Sequence, residues 1–387
     1  MHEEVIIHSG DETTVAKKEE KVGSIDPQEL TNQEMENILE RLIQKIPDFH
    51  MQSKPVKLSG GLLNYVWRIR GGAGSKYPSL IAKWAPPFIA SNPQIHLDPG
   101  RIIIETNALK TFGKTGSLSH LTNENIRLPE FVWMDTTHNI LIMEDVCNCP
   151  DLAEWIQYPQ ENENAYSTGR RIGTFIANVH KYSANQPDLA LQFLNQRIQK
   201  TRLEVLYQNV EMYAQKAHLE QADDVGKAAR VYGKLLQAPG KVIIMGDLWL
   251  PSIIVSGDGL RIIDWELAHY GRPSQDIGHL VAHLWMHIHN PPSRSTADNA
   301  RLILRGFLES YRTTLGKDFD RIFGADGVQE SSIHFGSEIL ARTVGYFQTG
   351  YLYEGLAWDH PVIQQATQTA ARHILNPAGE TTFEILK

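Results

Sequence analysis

Four oxygen-bearing side chains fall within twenty residues of this chain: Asp247, Ser252, Asp264 and Glu266, in "MGDLWLPSIIVSGDGLRIIDWE". The Ile- and Val-rich runs between them read as two buried strands, and "SGDG" between the runs is a strong hairpin turn. Such a hairpin places Ser252 roughly opposite Ile263 and Asp264 at its open end. Asp247 lies in the loop that feeds the same end. Acids gathered this closely raise one another's pKa unless a cation sits among them. A few oxygen ligands of this kind suit Mg²⁺ that keeps some of its waters and binds substrate phosphates. The plain alternative is a set of exposed acids at a loop edge.

A second group lies upstream. In "LSGGLLNYVWRI", Gly60 and Gly61 join two strand-like runs and let backbone approach a phosphate closely. "LIAKWA" sets Lys83 inside an apolar strand, and "RIIIETNAL" sets Glu105 on the helix after it. A strand lysine held by a helix glutamate beneath a glycine hairpin is one way to grip the α- and β-phosphates of ATP. "ILIMEDV" then opens from a strand into a linker whose backbone edge, Glu144 to Val146, could meet adenine.

These residues need two different units to hold them. Residues ~50–145 read as about five short strands and one helix, "RIIIETNALKTFG", closed by Gly113. From Pro150 on, the apolar spacing is mostly helical, including "SQDIGHLVAHLWMHIH" and "SEILARTVGYFQTGYLY". At 387 residues the chain exceeds the size at which one core stops growing. The expected fold is therefore α+β and two-lobed: a polar, disordered tail at 1–27, a small β-rich lobe at 28–146 with the nucleotide sheet, and a larger, mainly helical lobe at 147–387 with the catalytic loop, metal site and acceptor pocket.

Composition narrows the function classes. The net charge of −8 argues against a nucleic-acid binder. No apolar run reaches the ~18 residues of a membrane span, and the N-terminus lacks a signal-peptide core. Cys147 and Cys149 are read as two loop thiols, which indicates a reducing, cytoplasmic setting. His279, His283 and His287 recur at one-turn spacing; they are read as a packed helix face and not as a zinc site. "ALKTFGKT" is rejected as a P-loop because it lies in a helix and lacks the first glycine.

The order and spacing of these motifs resemble the protein-kinase-like fold in its small-molecule branch, the aminoglycoside phosphotransferase and choline kinase group. "MGDLWLPS" resembles the group's catalytic motif, and "IDWELAHYGRPSQDIG" its metal-binding segment followed by a structural aspartate. The likeness runs from about Leu42 to Leu375 and is greatest to the methylthioribose kinases and the fungal hydroxytryptamine kinases. It implies an ATP- and Mg²⁺-dependent phosphotransferase acting on a hydroxyl of a small molecule. Asp247 would orient the hydroxyl and Asp264 would hold Mg²⁺, with Ser252 and Glu266 as further metal groups. Gly60, Gly61, Asn64, Lys83, Glu105, Glu144 and Val146 would form the nucleotide site. Asp276 would brace the catalytic loop, and Trp249 and Arg342 would reach the acceptor. Met245 stands where histidine is usual and Ser252 where asparagine is common. These departures favour the rival reading, a catalytically impaired nucleotide-binding protein acting through partners. The joint presence of Lys83, Glu105, Asp247 and Asp264 favours the enzyme. A protein kinase is rejected because His-Arg-Asp and Asp-Phe-Gly segments are absent.

Overall fold

A computed structural model describes residues 32–59 and 61–387. The expected tail at 1–27 and Gly60 lie outside the described residues. Helix α1 (Asn32–Ile43) leads into strands β1 (Val56–Lys57), β2 (Tyr65–Arg70) and β3 (Ser79–Trp84). A short hairpin follows, β4 (Phe88–Ile89) with β5 (Asn92–His96), and then helix α2 (Arg101–Phe112). Strands β6 (Ile126–Arg127), β7 (Phe131–Asp135) and β8 (Ile140–Glu144) complete the first part. Its sheet has five antiparallel strands in the order β1-β2-β3-β8-β7.

Strand alternation decides which way the key lysine points. Successive side chains of a strand face opposite sides. Leu80, Ala82, Ile140 and Ile142 pack on one side with Met35, Leu39 and Ile43 of α1. Leu141 and Met143 pack on the other side with Ile102, Ala108 and Leu109 of α2. Lys83 pairs with Leu141 in the β3–β8 ladder and so shares the α2 side. The apolar neighbours of Lys83 thus dictate that it faces Glu105.

The second part is mostly helical: α3 (Leu152–Trp155), α4 (Asn162–Ser183), α5 (Pro187–Gln192), α6 (Gln196–Arg202), α7 (Val210–Lys216) and α8 (Ala222–Leu235). A wide π-type turn, Leu203–Gln208, joins α6 to α7. Short strands β9 (Val242–Ile244), β10 (Ile253–Ser256), β11 (Gly259–Ile262) and β12 (His269–Gly271) carry the acidic motifs. Helices α9 (Pro273–His289), α10 (Arg294–Leu315), α11 (Phe319–Ile322), α12 (Gly327–Thr343) and α13 (Pro361–Leu375) follow. Helices α4 and α10 lie against each other through Gly169, Gly173 and Gly306. A β-carbon on Gly169 would overlap the Ile303 carbonyl, and one on Gly306 the Tyr166 carbonyl.

The lobes share more than a linker. Strand β6 pairs in parallel with β11, and α2 packs on the larger core, where Phe112 meets Trp265 at 5.1 Å between ring centres. Three sequence expectations need correction. The helix expected over 337–353 ends at Thr343, where Gly345 N–H turns back to the Leu340 carbonyl and Gly350 and Gly355 take positive φ. The β4–β5 hairpin was not anticipated, because its strands are short and mostly exposed. Cys147 and Cys149 are joined in a disulfide rather than standing as separate thiols. The linker bends at Asn148, which draws the two Cα atoms to 5.3 Å and the sulfurs within bonding reach. The reducing setting inferred from free thiols loses that support.

The catalytic-loop turn is held from below. Gly246 has φ +81, and a β-carbon there would strike the Leu267 carbonyl, so the turn demands glycine. Asp276, on the first turn of α9, accepts hydrogen bonds from the Met245 and Gly246 backbone N–H groups, both at 2.9 Å, and from His180 Nε2 at 3.3 Å. Burial works against its charge, but His180 and the two backbone donors outweigh it and hold Asp276 below its ordinary pKa.

Two stability outcomes follow from this packing. Gly169→Val should lower unfolding free energy by about 2–3 kcal/mol in urea melts, since the added methyls force α4 and α10 apart. Asp276→Asn should cost about 2–3 kcal/mol at pH 7. A carboxylate with a depressed folded pKa stabilises above the unfolded value, about 3.9, and that stabilisation is lost as pH falls through the folded value. The gap between wild type and Asp276→Asn should therefore shrink below about pH 4.

Candidate active site

Lys83 links the two lobes. Its Nζ lies 2.8 Å from Glu105 on α2, 2.8 Å from Asp264 Oδ1 after β11, and 3.4 Å from Glu266 Oε1. Burial disfavours the ammonium charge, but Asp264, Glu105 and Glu266 outweigh burial and hold the Lys83 pKa well above its ordinary value. Burial also pushes Glu105 up to about 7, with Lys83 only partly offsetting it. With Glu105 ionised, three carboxylates here meet two cations, Lys83 and Arg101, and the cluster carries net negative charge.

Arg101 escaped the sequence reading. It is fully buried and holds six groups together. Its Nε donates to Glu266 Oε2 at 3.0 Å, and Nη1 donates to the carbonyls of Pro86, Asp98 and, more weakly, Leu97. Its Nη2 donates to the Leu63 carbonyl and to Asn64 Oδ1. One signal pointed to it: Arg101 stands four residues before Glu105, one turn away on the same helix face.

Arg101 changes the roles of two expected site residues. Glu266 was expected near a metal, but Oε2 is taken by Arg101 and Oε1 accepts from Asn64 Nδ2 at 2.6 Å. Glu266 thus braces the glycine hairpin against the segment after β11, and its oxygens are buried. Asn64 was expected at the nucleotide; its side chain is instead buried between Arg101 and Glu266. At Gly61 the turn leaves no room for a side chain, since a β-carbon there would strike the Asn64 carbonyl.

At the linker, Glu144 turns its side chain away from the cleft. Arg127 grips both its oxygens at 2.6 and 2.7 Å. Asp145 is tied to Arg68 at 2.6 Å and to Ser79 at 2.6 Å. Val146 is half-buried where the linker begins.

The hairpin forms as expected: Ile253 pairs with Ile262, and Ile263 N–H donates to the Ser252 carbonyl at 2.9 Å. Asp264 sits in the left-handed region at φ 63, ψ 54, a conformation that costs free energy and recurs at functional sites. Its side chain is 41% exposed, so it is the acid of this group that opens to the cleft. Ser252 is buried and donates its hydroxyl to the Asp247 carbonyl at 3.3 Å. Asp247 keeps about a quarter of its side chain exposed (24%), and its Oδ1 lies 3.1 Å from His279 Nε2, a close contact whose N–H is not aligned on the oxygen as in a full hydrogen bond. Burial opposes its charge, yet the nearby His279, Arg202 and Arg342 hold its pKa below the ordinary value.

Trp249 and Arg342, expected at the acceptor, are in contact. The Arg342 guanidinium lies 5.0 Å from the ring centres of Trp249, Phe347 and Tyr351. Its Nε is committed to Glu338 at 2.8 Å. Arg342 therefore supports an aromatic wall, and Trp249, half-buried, presents a ring near Asp247.

Among the described residues, no helix is long and apolar enough to cross a membrane. A solved aminoglycoside 2'-phosphotransferase IIIa with bound GDP superposes with a TM-score of 0.51 at 14% identity, covering 89% of this chain and 98% of that one. This likeness supports the two-lobed protein-kinase-like fold. In sequence, the chain is 28% identical over 239 residues to the 4-hydroxytryptamine kinase of Psilocybe cyanescens, covering 58% of this chain and 65% of that protein. It is 25% identical to the 4-hydroxytryptamine kinase of Psilocybe cubensis, covering 67% and 74%. It is 28% identical to a methylthioribose kinase of Geobacillus, covering 62% and 61%. The chain thus spans just under two thirds of the first of these relatives. The model of the phosphotransferase enzyme family matches residues 56–311, from the first strand of the small lobe through α10, and the chain belongs to that family.

Proposed function

We propose that this chain transfers the γ-phosphoryl group of MgATP to a hydroxyl of a small-molecule metabolite. The observation that carries the reading is Lys83, held by Glu105 from one lobe and facing Asp264 from the other, with Asp247 beyond it at the hairpin mouth. Lys83 would bind the α- and β-phosphates, and Gly61 would let backbone lie over them. Glu144 to Val146 would meet adenine through their backbone.

Asp264 would hold Mg²⁺. It offers half-exposed carboxylate oxygen in a cluster with excess negative charge, which fits a hard cation that keeps most of its waters. Ser252 is the candidate for an additional ligand, while Glu266 is assigned to bracing. When bound, Mg²⁺ neutralises charge on the β- and γ-phosphate oxygens. Asp247 would orient the acceptor hydroxyl and take its proton as the bond to phosphorus forms. Such transition states need little covalent help, so positioning and charge placement supply most of the catalysis.

The relatives are named for hydroxytryptamine and methylthioribose, both small hydroxylated molecules. The ring of Trp249, backed by Arg342, gives this chain a flat wall on which an indole or a sugar face can lie. An enzyme that uses ATP in this way fits the cytoplasm.

ADP release should be followed across hydroxylated acceptors that include 4-hydroxytryptamine and methylthioribose. At least one should be turned over, and only with Mg²⁺ present. Asp247→Asn should lower kcat roughly 10³-fold while affinity for a non-hydrolysable ATP analogue stays within about twofold. Full turnover by that variant would remove Asp247 from its role. Tight ATP binding without ADP release for any acceptor would favour a nucleotide-binding module instead.

A further inference from the structure

Behind Asp247, on the side away from the cleft, lies a row of buried groups that the reaction as described does not use. Tyr207 stands in the π-type turn Leu203–Gln208, a wide turn of the kind frequent at functional sites. Its hydroxyl lies 2.5 Å from His334 Nδ1 on α12. His334 Nε2 lies 3.2 Å from His279 Nδ1 on α9. His279 Nε2 lies 3.1 Å from Asp247 Oδ1. The first two contacts are hydrogen bonds, and the third is a close approach whose N–H is not yet aligned on the carboxylate. Tyr207 and His334 are fully buried and His279 is 2% exposed, so bulk water does not compete at any of them.

Elementary donor counting sets the direction of the row. Burial pushes the Tyr207 phenol up, so it keeps its proton and can donate. Burial also holds His334 well below its ordinary pKa, which leaves the ring neutral with one proton. The direction is set from the other end: Arg202 Nη2, which can only donate, lies 3.4 Å from His279 Nδ1, so that nitrogen accepts and the His279 proton sits on Nε2, beside Asp247. His334 Nε2 then donates to His279 Nδ1, which leaves His334 Nδ1 to accept from the Tyr207 hydroxyl.

We propose that Tyr207, His334 and His279 form a hydrogen-bonded chain that fixes the orientation of the Asp247 carboxylate, with His279 as the positioning residue. One oxygen of Asp247 is held by His279, and the other is left to face the acceptor hydroxyl. A base oriented by a third group is a recurrent arrangement in catalysis. This inference rests on the reading of Asp247 given above. The donor atoms of His279, His283 and Glu338 lie within 4.8 Å of one another and could be taken for a metal site. Arg202 and Arg342 already balance Asp247 and Glu338, so a dication would add to a neutral cluster; the hydrogen-bonded chain accounts for the histidines without one.

The groups facing Asp247 are His279 from α9, Arg202 from α6 and Arg342 from α12. Those facing His279 are Asp247, Arg202, His334 and Glu338, with His283 one turn along.

The test uses the full chain with MgATP and the 4-hydroxytryptamine or methylthioribose acceptor. His279→Phe should lower kcat roughly 100-fold and leave KM for ATP within about twofold. His279→Gln, whose amide N–H can still reach Asp247, should recover to within about tenfold of wild type. Tyr207→Phe, nearly isosteric, should lower kcat about fivefold alone and not at all on the His279→Phe background. Independently of any acceptor, isotope-labelled histidine in the wild-type protein should show the His279 ring protonated on Nε2 only, its signal assigned by its loss in His279→Gln. A proton on Nδ1, a Gln variant no better than Phe, or an additive Tyr207→Phe effect would each overturn the chain. If Asp247→Asn is itself fully active, the underlying role of Asp247 has failed. If Asp247→Asn is inactive while His279→Phe matches wild type, only the chain has failed.

Discussion

The ammonium of Lys83 is the constraint on which the cleft depends. It is buried, and a buried charge without partners is costly by several kcal/mol. Its partners come from separate places in the chain: Glu105 from α2, and Asp264 and Glu266 from the segment after the β11 strand. Meeting the charge of one side chain therefore fixes the position of a helix, a sheet and a loop relative to one another. Arg101 extends the same logic to the glycine hairpin. Its guanidinium reaches backbone carbonyls on both sides of β4–β5 as well as Glu266 and Asn64. The small lobe is thus tied to the metal loop by charge-assisted hydrogen bonds, which are roughly twice as strong as neutral ones.

The turn at Met245 and Gly246 is fixed by a different device. Asp276 collects the backbone donors of Met245 and Gly246, which a tight turn would otherwise leave unsatisfied. Because Asp276 binds backbone and not a side chain at 245, methionine can occupy that position without loss of the turn. The support comes from below, with His180 against Asp276 and His279 beside Asp247. Asp247 thus stands between the acidic cleft and the buried polar layer behind it.

Much of this was legible in the chain because local patterns are strong where function is concentrated. "SGDG" between two apolar runs forces a hairpin, and the hairpin forces Ser252 and Asp264 to one end. The parity of Lys83 within "LIAKWA" places it opposite Ala82 and Trp84. Other features left weaker marks. The aromatic-rich segment after Thr343 carries apolar residues at nearly helical spacing, yet Gly345, Gly350 and Gly355 end the helix and open a loop around Arg342. Two cysteines at 147 and 149 carry no signal of their own bond, because pairing depends on the backbone path between them.

The sequence by itself determined the two-part plan and the hairpin, through periodicity and turn chemistry acting over a few residues, while Lys83, Glu105, Asp247 and Asp264 stood out through the resemblance to the phosphotransferase group. Tertiary structure alone decided what Glu266, Asn64 and the α9 histidines do. Those roles are set by which donors arrive from distant segments: Arg101 lies 165 residues before Glu266, and His334 lies 55 residues after His279. A buried polar atom takes whatever partner packing brings to it, and no local spacing encodes that meeting.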